Sequence, residues 1–151
     1  MLFRITLLPI LLLAGSQILA ASSATGSGNP DPLSERLAPC PSSPNCVSSQ
    51  AKAGSQAIPP IPYTGFSEAV LKDLETVIKK MKRSRIVSKS SATLHAEFRT
   101  ILGFVDDVEF LVDEERQVIH MRSASRFGFW DLGVNRRRLE AIRRELNGQS
   151  L

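Results

Sequence analysis

The sequence predicts an α+β domain in which a small antiparallel sheet of about four strands carries two helices on one face. Three observations lead to this prediction. Two segments have apolar residues at helical spacing, several segments between them alternate apolar with polar residues, and a Pro- and Ser-rich stretch with both cysteines precedes them. We therefore expect one domain preceded by an irregular, disulfide-containing arm that lies over it.

The two helices are predicted from apolar residues that recur every three or four positions. The first begins at Ser67, a residue that can cap a helix N-terminus. Its apolar positions are Phe66, Val70, Leu74, Val77, Ile78 and Met81. The last helix is predicted from about Asn135, as its cap, to Leu146. Its narrow apolar stripe consists of Leu139, Ile142 and Leu146.

Four strands are predicted between the helices, at residues 85–89, 93–100, 107–112 and 117–123. The last two form a hairpin around a turn at residues 113–116. If Val112 pairs with Gln117, one face of the hairpin is apolar and the other is charged. The predicted opposite pairs are Phe110 with Ile119, Val108 with Met121, Glu109 with His120, and Asp107 with Arg122.

The N-terminus has the order of a secretory signal. Residues 1–21 combine an early arginine, an apolar run and small residues, which predicts a signal peptide cleaved after Ala20, Ala21 or Ala24. An uncleaved anchor is the alternative, but the run is shorter than the ~20 apolar residues that span a bilayer. Ser16 stands where a lipoprotein has its lipid-accepting cysteine. We expect a periplasmic or secreted protein without a stable membrane span after cleavage.

Composition divides the rest of the chain. Of the 151 residues, 42% are hydrophobic and 23% charged, which is typical of a globular protein with one core. Residues 22–36 are small and polar and predict a flexible linker. The domain is predicted at residues 37–147, and residues 148–151 as a disordered tail.

Cys40 and Cys46 are the only cysteines. In an oxidising compartment such a pair usually forms a disulfide, which is our prediction. Zinc binding would need His95 and His120 as further ligands, and a reactive free thiol is the third alternative. Both histidines fall on the polar face of the sheet, where charged neighbours offer partners, so we expect neither a metal nor a cofactor.

A basic C-terminal part does not point to nucleic acid. Residues 116–151 hold eight arginines and three acidic residues, but they offer no aromatic stacking platform, and export separates the protein from nucleic acid.

The loop at residues 123–136 is a stronger candidate for a binding site. It ends at a helix N-terminus, where backbone N–H groups favour anions, and Arg126 and Arg136 could complete an anion site. Alternatively, Asp131 pairs with one of these arginines and the loop aromatics cap the core.

Three motifs resemble the family called domain of unknown function 1499. They are CPSSPNCVSS at residues 40–49, VDDVEF at 105–110 and SASRFGFWDLGVNRRRLEAIR at 123–143. The resemblance implies that the recurring residues of the family are Cys40, Pro44, Asn45, Cys46, Ser48, Ser49, Asp106, Asp107, Glu109, Ser123, Ser125, Arg126, Asp131, Gly133, Asn135 and Arg136. Trp130 departs from the family pattern, which has a small polar residue there. The resemblance implies no assigned activity.

We interpret the chain as a non-catalytic, exported binding or envelope-associated module. Its ligand is predicted to be a small anion or an envelope component. The candidate ligand-binding residues are Asn45, Asp106, Asp107, Glu109, Ser123, Ser125, Arg126, Asp131, Asn135 and Arg136. One alternative is a hydrolase of an envelope ester or phosphoester that uses Asp106, Asp107 or Glu109 as acid or base. Another is a structural protein of an envelope complex. No nucleophile elbow, phosphate loop or HExxH motif is present in the sequence.

Overall fold

The computed structural model of the protein describes residues 36–148. The predicted signal peptide, the linker up to residue 35 and residues 149–151 lie outside the described residues. The described elements are β1 (Cys46–Ser48), β2 (Ile61–Pro62), α1 (Ser67–Lys80), β3 (Ser84–Lys89), β4 (Thr93–Arg99), β5 (Val105–Asp113), β6 (Val118–Ser125) and α2 (Val134–Leu146).

The sheet is antiparallel and has the order β1-β6-β5-β4-β3, with β2 pairing the same edge of β6 as β1. The α+β class and the antiparallel sheet are confirmed, but the sheet has six strands within the described residues instead of about four. The two additional strands come from the arm, which the sequence predicted to be irregular. They are two or three residues long and flanked by Pro and Ser, too short to show an alternating pattern. Pro62 is tolerated because β2 lies on an edge.

The hairpin of β5 and β6 pairs two residues further along than predicted. Val112 lies opposite Ile119, and Glu109 lies opposite Arg122. The reason lies in the connection: Gln117 has a φ of 51°, in the left-handed region, and belongs to the loop instead of the strand. Because side chains alternate with a period of two, a shift of two residues keeps the predicted apolar and polar faces.

The core lies between one face of the sheet and the two helices. The strands contribute the predicted apolar face, and the helices contribute the stripes of α1 and α2. The largest wholly buried apolar side chains are Phe110, Ile61, Leu71, Leu74, Ile78, Leu94, Ile119, Met121, Leu139, Ile142 and Val108. The predicted start of α1 needs correction. Ser67 is the first helical residue and donates to Glu114, and Phe66 before it is 85% exposed.

The predicted disulfide in the arm is confirmed. Cys40 and Cys46 are joined at an S–S distance of 2.03 Å, and Cys46 is wholly buried in β1. Beyond β1, the backbone of Ser49 donates to the carbonyl of Met121, 2.9 Å away, so the arm continues along β6. The disulfide thus fixes the chain at the point where the arm enters the sheet.

We expect the disulfide to contribute about 2 kcal/mol to the free energy of unfolding, since its loop is short and loop entropy grows with loop length. The double variant Cys40→Ser/Cys46→Ala removes the crosslink without burying a hydroxyl. Urea unfolding of this variant and of the wild type measures the difference. An unchanged free energy of unfolding would contradict the prediction.

Candidate functional site

The candidate carboxylates of β5 lie on opposite faces of the sheet. Asp106 points into the space below α2 and is 1% exposed, whereas Asp107 and Glu109 point to the polar face, because neighbouring side chains of a strand alternate. The structure therefore does not bring the three carboxylates together. Each has its own arginine within 2.8 Å: Arg138 for Asp106, and Arg126 and Arg122 for the other two.

A buried polar cluster connects α2 to the sheet. Arg138 of α2 donates to Asp106 at 2.5 Å, to the Ser123 hydroxyl at 2.9 Å and to the Asn135 side-chain oxygen at 2.8 Å. Its guanidinium also lies 4.8 Å from the ring centre of Phe98, a cation–π contact. Arg138 is not among the predicted site residues. It lies one helical turn after Asn135, in a run of three arginines. Nothing in this run indicates that Arg138 is the one whose side chain is buried.

Asn135 extends this cluster to the arm. Its side-chain nitrogen donates to the backbone oxygen of Asn45 and to the hydroxyl of Ser125, both at 3.0 Å, and its oxygen accepts from Ser123 at 2.5 Å. Asn45 in turn donates to the carbonyl of Gly128. Four predicted site residues, Asn45, Ser123, Ser125 and Asn135, thus form one hydrogen-bonded group.

The N-terminus of α2 is capped differently from the prediction. Asn135 is the second residue of the helix and wholly buried, so it cannot be the cap. The carboxylate of Asp131 performs this role, accepting from the backbone N–H groups of Gly133 at 2.9 Å and Asn135 at 2.8 Å. Gly133 precedes the helix with a φ of 75°, a conformation that favours glycine.

The two arginines of the predicted anion site have internal partners. Arg126 donates to both Asp107 and Glu97 on the polar face. Arg136 donates to the backbone oxygens of Ser55 and Ala57 at 2.8 and 2.7 Å. An anion at this helix N-terminus would also have to displace the Asp131 carboxylate. The anion site stays a prediction, although both of its arginines already donate to acceptors within the protein.

Arg126 determines the electrostatics of the polar face. Its hydrogen bonds lower the pKa of the Asp107 carboxyl, and His95, 2.9 Å from Asp107, lowers it further. Hydrogen bonds from Arg85 and from Arg126 lower the pKa of Glu97, and the two carboxylates raise the pKa of Arg126. A general acid near neutral pH needs a raised carboxyl pKa, so Asp107 does not have this property.

A second polar row lies where the arm meets β6, beside a cleft of about 910 Å³. Ser49 Oγ lies 3.2 Å from His120 Nδ1, and His120 Nε2 lies 3.7 Å from Asp113 Oδ2. The second distance exceeds a hydrogen bond, and Arg116 holds the Asp113 carboxylate through its backbone N–H and side chain. The row therefore lacks the hydrogen-bonded relay that activates a serine. No group of three His, Cys, Asp or Glu side chains within residues 36–148 could hold a metal ion.

A cleft lined by exposed apolar side chains was not predicted. An open cleft of about 870 Å³ lies between the β4–β5 turn, residues 100–104, and the loop at residues 126–133; we call it the apolar cleft. The buried pair Asp106 and Arg138 forms part of the wall of this cleft. Six of the nine exposed large hydrophobic side chains of residues 36–148 also line it. They are Ile101, Leu102, Phe104, Phe127, Trp130 and Leu132.

The exposure of these side chains corrects one interpretation of the loop. Phe127, Phe129 and Trp130 are 74%, 75% and 68% exposed, so they do not cap the core. The backbone that carries them is nevertheless fixed, because Arg126 N–H donates to the Val105 carbonyl at 3.0 Å. The signal in the sequence is the concentration of large apolar residues in two segments that also contain turn glycines.

The comparison with protein families identifies the chain. A sequence model of the family described as "Protein of unknown function (DUF1499)" matches residues 36–146, and the chain therefore belongs to this family. No curated protein and no solved structure matches the chain significantly. No helix of residues 36–148 is long and apolar enough to cross a membrane.

The Asp106–Arg138 pair allows a test of the buried cluster. Arg138→Met should lower the free energy of unfolding by about 3–5 kcal/mol, because it leaves the Asp106 carboxylate buried without its partner. The double variant Asp106→Leu/Arg138→Met removes both charges and should recover most of this loss. Urea unfolding of the two variants and the wild type measures both effects. A double variant no more stable than Arg138→Met would show that packing, and not the unpaired charge, causes the loss.

The polar face should make stability dependent on pH through Arg126. The pKa values of Asp107 and Glu97 are lowered in the folded state, so their stabilisation is present above roughly pH 5 and is lost as the pH falls through the folded values. Arg126→Gln should therefore be less stable than the wild type at pH 6, and the difference should shrink towards pH 2. Thermal unfolding across this range measures it. The exposed Arg144 provides the control variant Arg144→Gln, whose difference from the wild type should not follow this pH profile.

Proposed function

We propose that this member of the DUF1499 family is a non-catalytic, exported binding module whose binding surface is the apolar cleft. The observation that carries the proposal is the concentration of exposed apolar side chains around this one concavity. Contiguous exposed apolar surface of this kind is typical of binding sites, since a soluble domain otherwise buries such side chains. The loop at residues 123–136, which we predicted to bind an anion or a partner, supplies one wall of the cleft.

The backbone of the loop supports a binding role. Leu132 has a φ of 54°, in the left-handed region that leucine rarely adopts, and its side chain is 64% exposed. Strain of this kind costs free energy, and no burial of the leucine side chain offsets it in the free protein. The Arg137 guanidinium donates to the Leu132 carbonyl at 2.8 Å and holds this conformation. A ligand that covers Leu132 would provide the missing burial.

Two further observations support export and a non-catalytic role. A disulfide is typical of proteins in oxidising compartments, and the Cys40–Cys46 bond agrees with the signal peptide predicted at residues 1–21. For the alternative hydrolase, Asp106, Asp107 and Glu109 are all engaged by arginines and lie on two faces. The alternative structural role would favour an apolar patch without a concavity, whereas here the patch lines a cleft.

Trp130, the only tryptophan of the chain, reports directly on the cleft. We expect a neutral apolar fluorophore such as 1-N-phenylnaphthylamine to bind saturably and to accept excitation energy from Trp130. Phe127→Ser should weaken this binding about tenfold, because the bound fluorophore would no longer bury the phenyl ring of Phe127. Phe66→Ser, which removes another highly exposed phenylalanine outside the cleft, is the matched control and should bind as the wild type does.

Leu132→Asn separates binding from folding in the same titration. Asparagine tolerates the left-handed conformation, so the melting temperature should stay unchanged or rise, while the fluorophore should bind more weakly. Equal losses of affinity in Phe127→Ser and Phe66→Ser, or energy transfer from Trp130 that never saturates, would contradict the cleft as the binding surface.

A further inference from the structure

We infer that the partner of the apolar cleft is a membrane surface that carries anionic lipid headgroups. The inference rests on the proposed function and names the partner of the same site. Its first basis is charge. Three exposed cations, Lys82, Arg83 and Arg99, line the cleft beside its apolar side chains. Within residues 36–148 no hydrogen bond or ion pair engages their charged groups.

The acidic residues of the cleft do not neutralise these cations. Asp106 and Asp131 are the two carboxylates among the lining residues. The first is buried against Arg138, and the second is held by the backbone N–H groups at the start of α2. The three unpartnered cations therefore leave an unbalanced positive charge around the apolar surface. This charge complements an anionic surface and would repel a cationic one.

The shape of the apolar surface favours a bilayer over a single enclosed molecule. A small-ligand pocket buries most of its ligand among side chains that face inward. Here Ile101 and Leu102 are 84% and 82% exposed at the tip of one wall, and Phe127 and Trp130 project from the other. Aromatic and aliphatic side chains beside Lys and Arg are the combination that enters the boundary between headgroups and acyl chains.

A second copy of the chain fits this surface less well. In a two-fold dimer each subunit presents the same patch to the other. Such a dimer would place the Lys82, Arg83 and Arg99 groups of both subunits in one interface, where the cleft carboxylates Asp106 and Asp131 are already engaged. Like charges opposed across an interface cost free energy, whereas an anionic bilayer surface attracts each of them.

The test uses the exported protein, purified after cleavage of the predicted signal peptide, and vesicles of stated composition. One set contains neutral phosphatidylcholine alone, and the other contains 30% phosphatidylglycerol; both include lipids brominated in the acyl chain. Quenching of Trp130 by the bromine atoms shows whether this loop enters the bilayer, and residues 1–35 contain no tryptophan that could contribute. We expect strong quenching with the anionic vesicles, weak quenching with the neutral ones, and loss of quenching in high salt.

Two charge-matched variants identify the cations responsible. Lys82→Gln/Arg83→Gln/Arg99→Gln should lower the affinity for anionic vesicles roughly a hundredfold, since each cation near the surface contributes a few-fold factor. Lys52→Gln/Lys72→Gln/Arg144→Gln changes the net charge by the same amount with exposed residues outside the cleft, and should bind nearly as the wild type does. All variants share the same N-terminus, so its contribution to binding cancels.

The outcomes separate this inference from the proposed function. Equal losses in the two triple variants, or equal quenching by neutral and anionic vesicles, would overturn the anionic membrane as partner. Saturable binding of the neutral fluorophore without any quenching by vesicles would overturn the membrane and leave the binding module standing. A dimer that protects Trp130 from quenching at the same protein concentration would assign the cleft to self-association instead. Absence of both fluorophore binding and vesicle quenching would overturn both proposals.

Discussion

The buried ion pair between Arg138 and Asp106 constrains the rest of the structure. A guanidinium inside a protein is strongly unfavourable unless a counter-charge and hydrogen bonds replace water. Here Asp106, Ser123 and Asn135 supply these partners. Because the partners belong to β5, β6 and α2, they can be satisfied together only when α2 lies in one position over the sheet. The polar cluster thus selects one among several ways of packing an apolar stripe on an apolar sheet face.

The same constraint shapes the loop that forms one wall of the apolar cleft. One end of the loop is held on the polar face of the sheet by Arg126 and the other at the start of α2 by Asp131. Between them, the Gly128 carbonyl is held by Asn45 of the arm. A backbone fixed at three points can keep its apolar side chains in solvent, because they cannot collapse onto the core without breaking polar contacts.

The sequence predicted those parts of the fold in which periodicity alone determines the structure. The alternation of residues 93–100 identified the buried face of β4, and the helical spacing identified both helices. It did not fix the hairpin register, since a shift of two residues leaves the faces unchanged and only Gln117 in a left-handed conformation distinguishes the two pairings. The arm strands were missed because their pairing depends on the free edge of β6, a long-range property.

The sequence predicted many of the residues of the candidate site, but it did not predict how they are arranged. Asn45, Ser123, Ser125 and Asn135 do come together, yet the contact that organises them, Arg138, lies in a run of arginines that reads as a solvated helix face. Asn135 was assigned the cap that Asp131 provides, because both residue types favour that role and the sequence does not show that α2 begins at Val134.

The apolar cleft follows from a competition that local sequence does not show. Large apolar residues in a loop predict burial, since leaving each one in water forgoes about 1.5–3 kcal/mol. This free energy is available only if the backbone can bring the side chain to the core, and the contacts of Arg126, Asp131 and Asn45 prevent it. The domain therefore keeps several large apolar side chains exposed on one surface. The free energy that the folded chain cannot gain by itself becomes available to whatever covers that surface.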